Sequence, residues 1–123
     1  MKIIKVYEHS NCGFCKQALK FLANNRYAVD RIDLFKTPPT VAEIKRMIQI
    51  QGGDFKRLFN TIGTYFQQSG LDQKLTDMSE GQAIKLLTSD GRLVKRPFVI
   101  WDEGGLVGFH EPTWKKVLGK EKE

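Results

Sequence analysis

The sequence predicts an α/β domain whose elements run β-α-β, then a helical stretch, then β-β-α. Three observations carry that prediction. Short β-forming runs stand towards both ends of the 123-residue chain, and a Cys-x-x-Cys pair opens a helix directly behind the first of them. Between residues of about 40 and 90 there is no strand-like alternation at all.

Lys2–Glu8 reads as the first strand, since Ile3, Ile4, Val6 and Tyr7 are β-formers and so dense an apolar run suits burial on both faces. His9, Ser10 and Asn11 form a polar turn, with Ser10 or Asn11 as the expected helix cap. From Cys12 to Asn24 the apolar residues Phe14, Ala18, Phe21 and Leu22 recur on one helical face, and Asn24-Asn25 closes it. Val29–Leu34 follows as a second strand, for which parallel pairing through a right-handed crossover is the default. Pro38-Pro39 breaks the chain. Thr40 then caps a helix that carries Val41, Ile44, Met47 and Ile48 on one side, with Glu43 completing a capping box and Gly52-Gly53 as the stop.

Asp54–Phe59, Tyr65–Ser69 and Ser79–Thr88 read as short helices, the last burying Ala83, Ile84 and Leu87, and Ser89-Asp90-Gly91 as a turn. Behind Arg96-Pro97, Phe98–Trp101 is a compact strand, Asp102-Glu103-Gly104-Gly105 a hairpin turn and Leu106–Phe109 the returning strand. Pro112 suits the first turn of a final helix with Trp114, Val117 and Leu118 inward; Gly119 ends it, and Lys120–Glu123 is a charged, fraying tail. The order is thioredoxin-like, with a helical insertion over about 40–90 of a single domain spanning residues 1–123.

Composition narrows the function classes. At 41% hydrophobic and 28% charged residues the chain has enough apolar side chains for a real core. No apolar run approaches the roughly 18–20 residues of a membrane span, and the charged start is unlike a signal peptide, so a cytoplasmic location is expected. Two cysteines are too few for a disulfide scaffold. Twenty Lys and Arg against 14 Asp and Glu give a net charge of +6, which suits anionic partners. No basic stripe is interleaved with aromatics, so direct nucleic-acid binding is not expected.

Cys12-Gly13-Phe14-Cys15 is the sharpest chemical feature. The first thiol of such a pair stands over unpaired backbone N–H groups and the positive end of the helix dipole, which favour a thiolate; the second, one turn along, can attack a mixed disulfide and release the bound partner. Lys16 and Arg96 are candidate cations beside it. Zinc is the competing use of His9, Cys12, Cys15 and His110, but a second compact ligand pair is missing from the sequence, so no metal is expected. Arg96-Pro97 is the second feature. In a thioredoxin-like order a proline here faces the cysteines; a cis bond would present backbone to an extended substrate, and Arg96 would meet an anion.

Along nearly its whole length the chain resembles the ArsC-like family of arsenate reductases, Spx redox regulators and glutaredoxin-like relatives. The resemblance rests on VYEHSNCGFCKQA, DLFKTPPTVAEI, FKRLFNTIG, LLTSDGRLVKRPFVI and GLVGF. It implies a thioredoxin-like fold with a helical insertion, Cys12 as attacking thiol, Arg96 as the cleft arginine and Pro97 as a cis-proline. Glutaredoxin-coupled arsenate reductases typically carry one cysteine and three arginines around the oxyanion. Here Cys15 is added, Lys56 stands where the first arginine would be, and Val107-Gly108-Phe109 replaces the segment bearing the last. The resemblance is therefore nearest to the Cys-x-x-Cys branch that does not reduce arsenate. It implies a thiol–disulfide oxidoreductase in which Cys15 resolves the mixed disulfide. On the same resemblance Arg96, Pro97, Lys16, Asn11 and Lys56 are expected to line the cleft, with no bound cofactor and with glutathione and glutaredoxin, or thioredoxin, as the external reductant. The alternative is an Spx-like switch that binds RNA polymerase; arsenate reduction proper comes third.

Overall fold

The computed structural model describes residues 3–120. The expected first residue of the opening strand, Lys2, and the tail beyond Lys120 lie outside them. Strand β1 (Ile3–Glu8), helix α1 (Gly13–Asn24) and strand β2 (Ala28–Asp33) form the opening unit. Its strands run parallel, in register from Ile3 opposite Ala28 to Glu8 opposite Asp33. Strands β3 (Phe98–Trp101) and β4 (Gly104–Val107) complete a sheet of order β2-β1-β3-β4, with β3 antiparallel to both of its neighbours.

The hairpin differs from the expected one. Its turn is Asp102-Glu103 alone, while Gly104 and Gly105 already pair with Trp101 and Ile100. Packing explains why two glycines are strand rather than turn: a Cβ on Gly105 would come within 2.6 Å of Met47 Cε, so a bare backbone is what lets the neighbouring helix settle on β4.

Between the two halves run α2 (Val41–Ile50), α3 (Thr64–Ser69), α4 (Leu71–Lys74) and α5 (Glu80–Ser89), and α6 (Glu111–Leu118) closes the fold. Short 3-10 turns occupy Phe55–Leu58, Leu75–Asp77 and Gly91–Leu93. The capping box on α2 is present in full, as expected, and a second one caps α5. Helix α4 was not anticipated. Gly70, at φ +77°, ends α3, but Leu71 and Leu75 beyond it pack against the core and hold another turn of helix in place.

The period-2 alternation of β3 sorts the core into two layers. Val99 and Trp101 join Ile4, Val6 and Leu106 beneath α1 and α6, where Ala18, Leu22, Trp114 and Leu118 close the layer. Phe98 and Ile100 join Tyr7 on the other face, under Ile44, Met47 and Ile48 of α2 and Ala83 and Leu87 of α5. On α1 the buried residues are Cys15, Ala18, Phe21 and Leu22, while Phe14, which shares the helical spacing of Ala18, Phe21 and Leu22, is half exposed. Ile3, Val41 and Val117 are also exposed, the last because Trp114 and Leu118 already define the inner side of α6.

This topology fixes where chemistry can happen. With β1 and β2 parallel and β3 reversed, the residues after β1, after β2 and before β3 all emerge at one edge of the sheet. Those segments are the loop to Cys12, the Phe35 turn and Arg96-Pro97. The end of β4, running into Gly108-Phe109, joins them there.

Candidate functional site

Cys12 itself is the N-cap of α1, in place of the expected Ser10 or Asn11. Its backbone is extended (φ −118°, ψ 113°), and its Sγ accepts the backbone N–H of Cys15 at 3.2 Å. A sulfur has taken the position a serine oxygen usually fills, over the orphan amides of a helix with no acidic residue in its first turn. Negative charge on that sulfur is met by an N–H donor and the positive end of a 12-residue helix. Both thiols are free. Cys12 retains slight exposure while Cys15 has none. Burial above all, together with the Cys12 side chain, pushes the Cys15 thiol up to about 12; the His9 backbone pulls the other way without offsetting it. The two sulfurs therefore differ: Cys12 keeps slight exposure, and Cys15 is fully buried and held as a thiol.

Arg96-Pro97 lies at the same edge, and the peptide bond between the two is cis, as expected. Pro97 is buried, and its carbonyl accepts the Gly108 N–H at 2.9 Å, tying the segment to the end of β4. Gly108 is at φ +72°, a conformation that favours glycine, and its own carbonyl accepts Trp114 Nε1 at 3.1 Å. Arg96 is half-buried, with its guanidinium carbon 5.4 Å from the centre of the Phe35 ring. The His9 imidazole stacks on the same ring at 4.0 Å. Among the described residues no carboxylate pairs with Arg96.

The other expected site residues divide. Lys16 is exposed on α1, its N–H donating to the Cys12 carbonyl at 3.1 Å, and Asn11 is exposed in the preceding turn. Lys56 is exposed on the Phe55–Leu58 turn, where its amide donates to Asp54 Oδ1 at 3.2 Å. A cleft of about 190 Å³ opens at this edge, walled by Phe14, Ile62 and Phe109 and carrying Asn60, Lys95 and Arg96. Of the residues expected to line it only Arg96 does; Asn11, Lys16, Lys56, Pro97 and the two cysteines are not among its lining residues. Sequence reasoning passed over Phe35, Ile62 and Lys95. The adjacent Lys95-Arg96 pair was a visible signal, whereas Phe35 and Ile62 gave none until the sheet brought their loops together. Among the described residues no group of three or more His, Cys, Asp or Glu side chains is placed to hold a metal ion. No helix there is long and apolar enough to cross a membrane.

A four-stranded mixed sheet with a Cys-x-x-Cys at its first helix and a cis-proline opening its third strand defines a thioredoxin-like protein. Within that class the ArsC family model matches residues 7–117, and the chain belongs to the ArsC family. It is 36% identical to the uncharacterized protein YusI of Bacillus subtilis over 89% of this chain and 93% of that one. The solution structure of SACOL0876 from Staphylococcus aureus superimposes with a TM-score of 0.83 at 36% identity, covering 95% of this chain and 99% of that one. The global transcriptional regulator Spx of Lactiplantibacillus plantarum is similar at 23% identity over 97% of this chain and 89% of its own.

Proposed function

We propose that this protein is a thiol–disulfide oxidoreductase in which Cys12 is the nucleophile and Cys15 the resolving thiol. The observation that carries the reading is the asymmetry of the pair: a capping sulfur over the helix N-terminus, and a fully buried partner on the next turn. The Cys12 thiolate attacks one sulfur of a substrate disulfide, forming a Cys12–substrate mixed disulfide and releasing the other sulfur as a thiolate that takes up a proton. Cys15 then surrenders its proton and attacks Cys12 Sγ, expelling the second substrate thiol. The net change is oxidation of two protein thiols to one disulfide and reduction of one substrate disulfide to two thiols. Glutathione with glutaredoxin, or thioredoxin, supplies the two electrons that restore the dithiol, in the cytoplasm.

Arsenate is the weaker substrate on charge grounds. A tetrahedral dianion is held by several charge-assisted contacts, and the cleft offers Arg96 with Lys95 as its neighbour while Lys56 stands outside it. A second reading, a redox switch that binds RNA polymerase, is favoured by the Spx relative, which aligns over nearly the whole chain. The test is NADPH-coupled turnover with hydroxyethyl disulfide, a glutathione mixed disulfide and arsenate in parallel, using glutaredoxin and thioredoxin systems in turn. Disulfide turnover that disappears in Cys12→Ser and stalls as a mixed disulfide in Cys15→Ser is the expected result. A reversible Cys12–Cys15 disulfide with no turnover, and oxidation-dependent binding of purified RNA polymerase, overturns it in favour of the switch.

A further inference from the structure

The cleft at this edge has a shape and chemistry that dithiol exchange by itself does not require. We propose that it is a side-chain pocket for a protein substrate: it receives an apolar residue adjoining the partner's disulfide cysteine, while a carboxylate of the same segment pairs with Lys95 and Arg96. This rests on the thiol–disulfide reading and names its substrate class.

Three observations carry it. The first is size. About 190 Å³ is below the roughly 300–1,000 Å³ of sites that enclose a whole small molecule, so the cleft takes one side chain of something larger. The second is its wall. Ile62 is 75% exposed and Phe14 50% exposed, and both line this one cleft with Phe109. Large apolar side chains converging on one cleft, one of them from between the two cysteines in sequence, mark a contact surface. The third is charge. Lys95 and Arg96 are the ionisable side chains among the lining residues, and no acidic residue lines the cleft. Among the described residues neither has a carboxylate partner, whereas Lys5, Arg31, Arg92 and Lys115 each have one. The Lys95 stem lies over Gly108, where a Cβ would meet Lys95 Cε at 2.8 Å, and this places the side chain against the cleft.

Those features discriminate among disulfides. Glutathione brings carboxylates but no apolar side chain, and would leave Phe14 and Ile62 in water. An oxyanion would use the cations alone. A peptide with an apolar residue and an acid beside its cysteine uses both, and the exchange step and its electron balance are those given above.

The experiment compares kcat/KM of the wild-type protein, recycled by its reducing system, for mixed disulfides of short peptides with 2-mercaptoethanol. One peptide carries leucine before and glutamate after its cysteine; a second replaces the glutamate with lysine, and a third replaces the leucine with serine. Hydroxyethyl disulfide and glutathione disulfide complete the set. The leucine–glutamate peptide is expected to lead every other substrate by at least about fivefold, the scale of a partly exposed charge pair. In Lys95→Glu the glutamate-over-lysine preference is expected to reverse, with circular dichroism confirming the fold. Should that variant not fold, Lys95→Met is expected to abolish the preference. A smaller lead, or no response to the Lys95 substitution, overturns the pocket while leaving the oxidoreductase standing. Inertness towards every disulfide removes both.

Discussion

Glu43 and Arg96 are both half-buried charged side chains beside the same sheet, and their surroundings are finished in opposite ways. Both oxygens of Glu43 have partners: Oε1 accepts Tyr7 Oη at 2.7 Å and the Thr40 N–H at 2.9 Å, and Oε2 accepts Lys5 Nζ at 2.7 Å. Burial pushes its carboxyl up, but the Lys5 and Tyr7 hydrogen bonds outweigh that and hold it below the usual glutamate range. Burial and the Glu43 carboxylate together push Tyr7 up to about 12. Among the described residues Arg96 has the face of Phe35, 5.4 Å away, and no carboxylate. A charge whose partners are all internal serves the fold; here it pins α2 to β1. A charge left open at the mouth of a cleft is available to something that arrives from outside.

The comparison can be broken most sharply at the open end. Cys12→Ser is expected to abolish disulfide turnover while leaving the thermal midpoint nearly unchanged, because serine is itself a good N-cap. Large loss of stability in that variant would mean the sulfur is structural. Alkylation by iodoacetamide at neutral pH, read by mass spectrometry, should modify Cys12 and spare Cys15, since Cys15 has no exposure and its thiol is held protonated. Equal labelling would remove the asymmetry on which the proposed mechanism rests.

At the closed end the effects fall on stability. Glu43→Ala leaves three donors without their acceptor and is expected to cost about 2–3 kcal/mol in chemical denaturation, with thiol reactivity intact. The pH dependence follows from the sign of the shift. Glu43 has a folded-state pKa below its ordinary 4.5, so its contribution is complete above that value and is lost as pH falls through the folded-state pKa. Glu43→Gln should therefore lose less stability than wild type when pH is lowered from neutrality into the acid range. The smallest effect belongs to the cap. Thr40→Ala is expected to cost about 1 kcal/mol, the usual worth of an N-cap side chain, and a loss near zero would show that Glu43 alone organises the start of α2.

Much of this contrast was legible in the residues and some of it was not. Thr40 and Glu43 announced a capping box by their spacing, yet nothing local showed that Glu43 also reaches Tyr7, 36 positions away. Ser10 and Asn11 are commoner helix caps than cysteine, so the residues alone point to them, whereas in the fold Cys12 takes the cap of α1. The spacing of Ala18, Phe21 and Leu22 fits Phe14 and Cys15 alike, so the sequence leaves open which of the two faces the core; the fold buries Cys15 and exposes Phe14. By composition Gly104-Gly105 belongs to a turn; Met47 packed against Gly105 shows why the bare backbone is used in a strand.

The sequence by itself determined the alternation of strands and helices, the Cys-x-x-Cys at a helix start, the Arg96-Pro97 bond ahead of β3 and the family, because each depends on neighbours a few residues apart. Tertiary structure alone decided that His9, Phe35 and Arg96 form one cluster, that Phe14 and Ile62 share a cleft with Lys95, and that Lys56 stands outside it. Those relations join loops up to 87 residues apart, from His9 to Arg96. What brings them together is the pairing of β1 with a parallel and an antiparallel neighbour, which turns three distant loops to the same edge of one sheet.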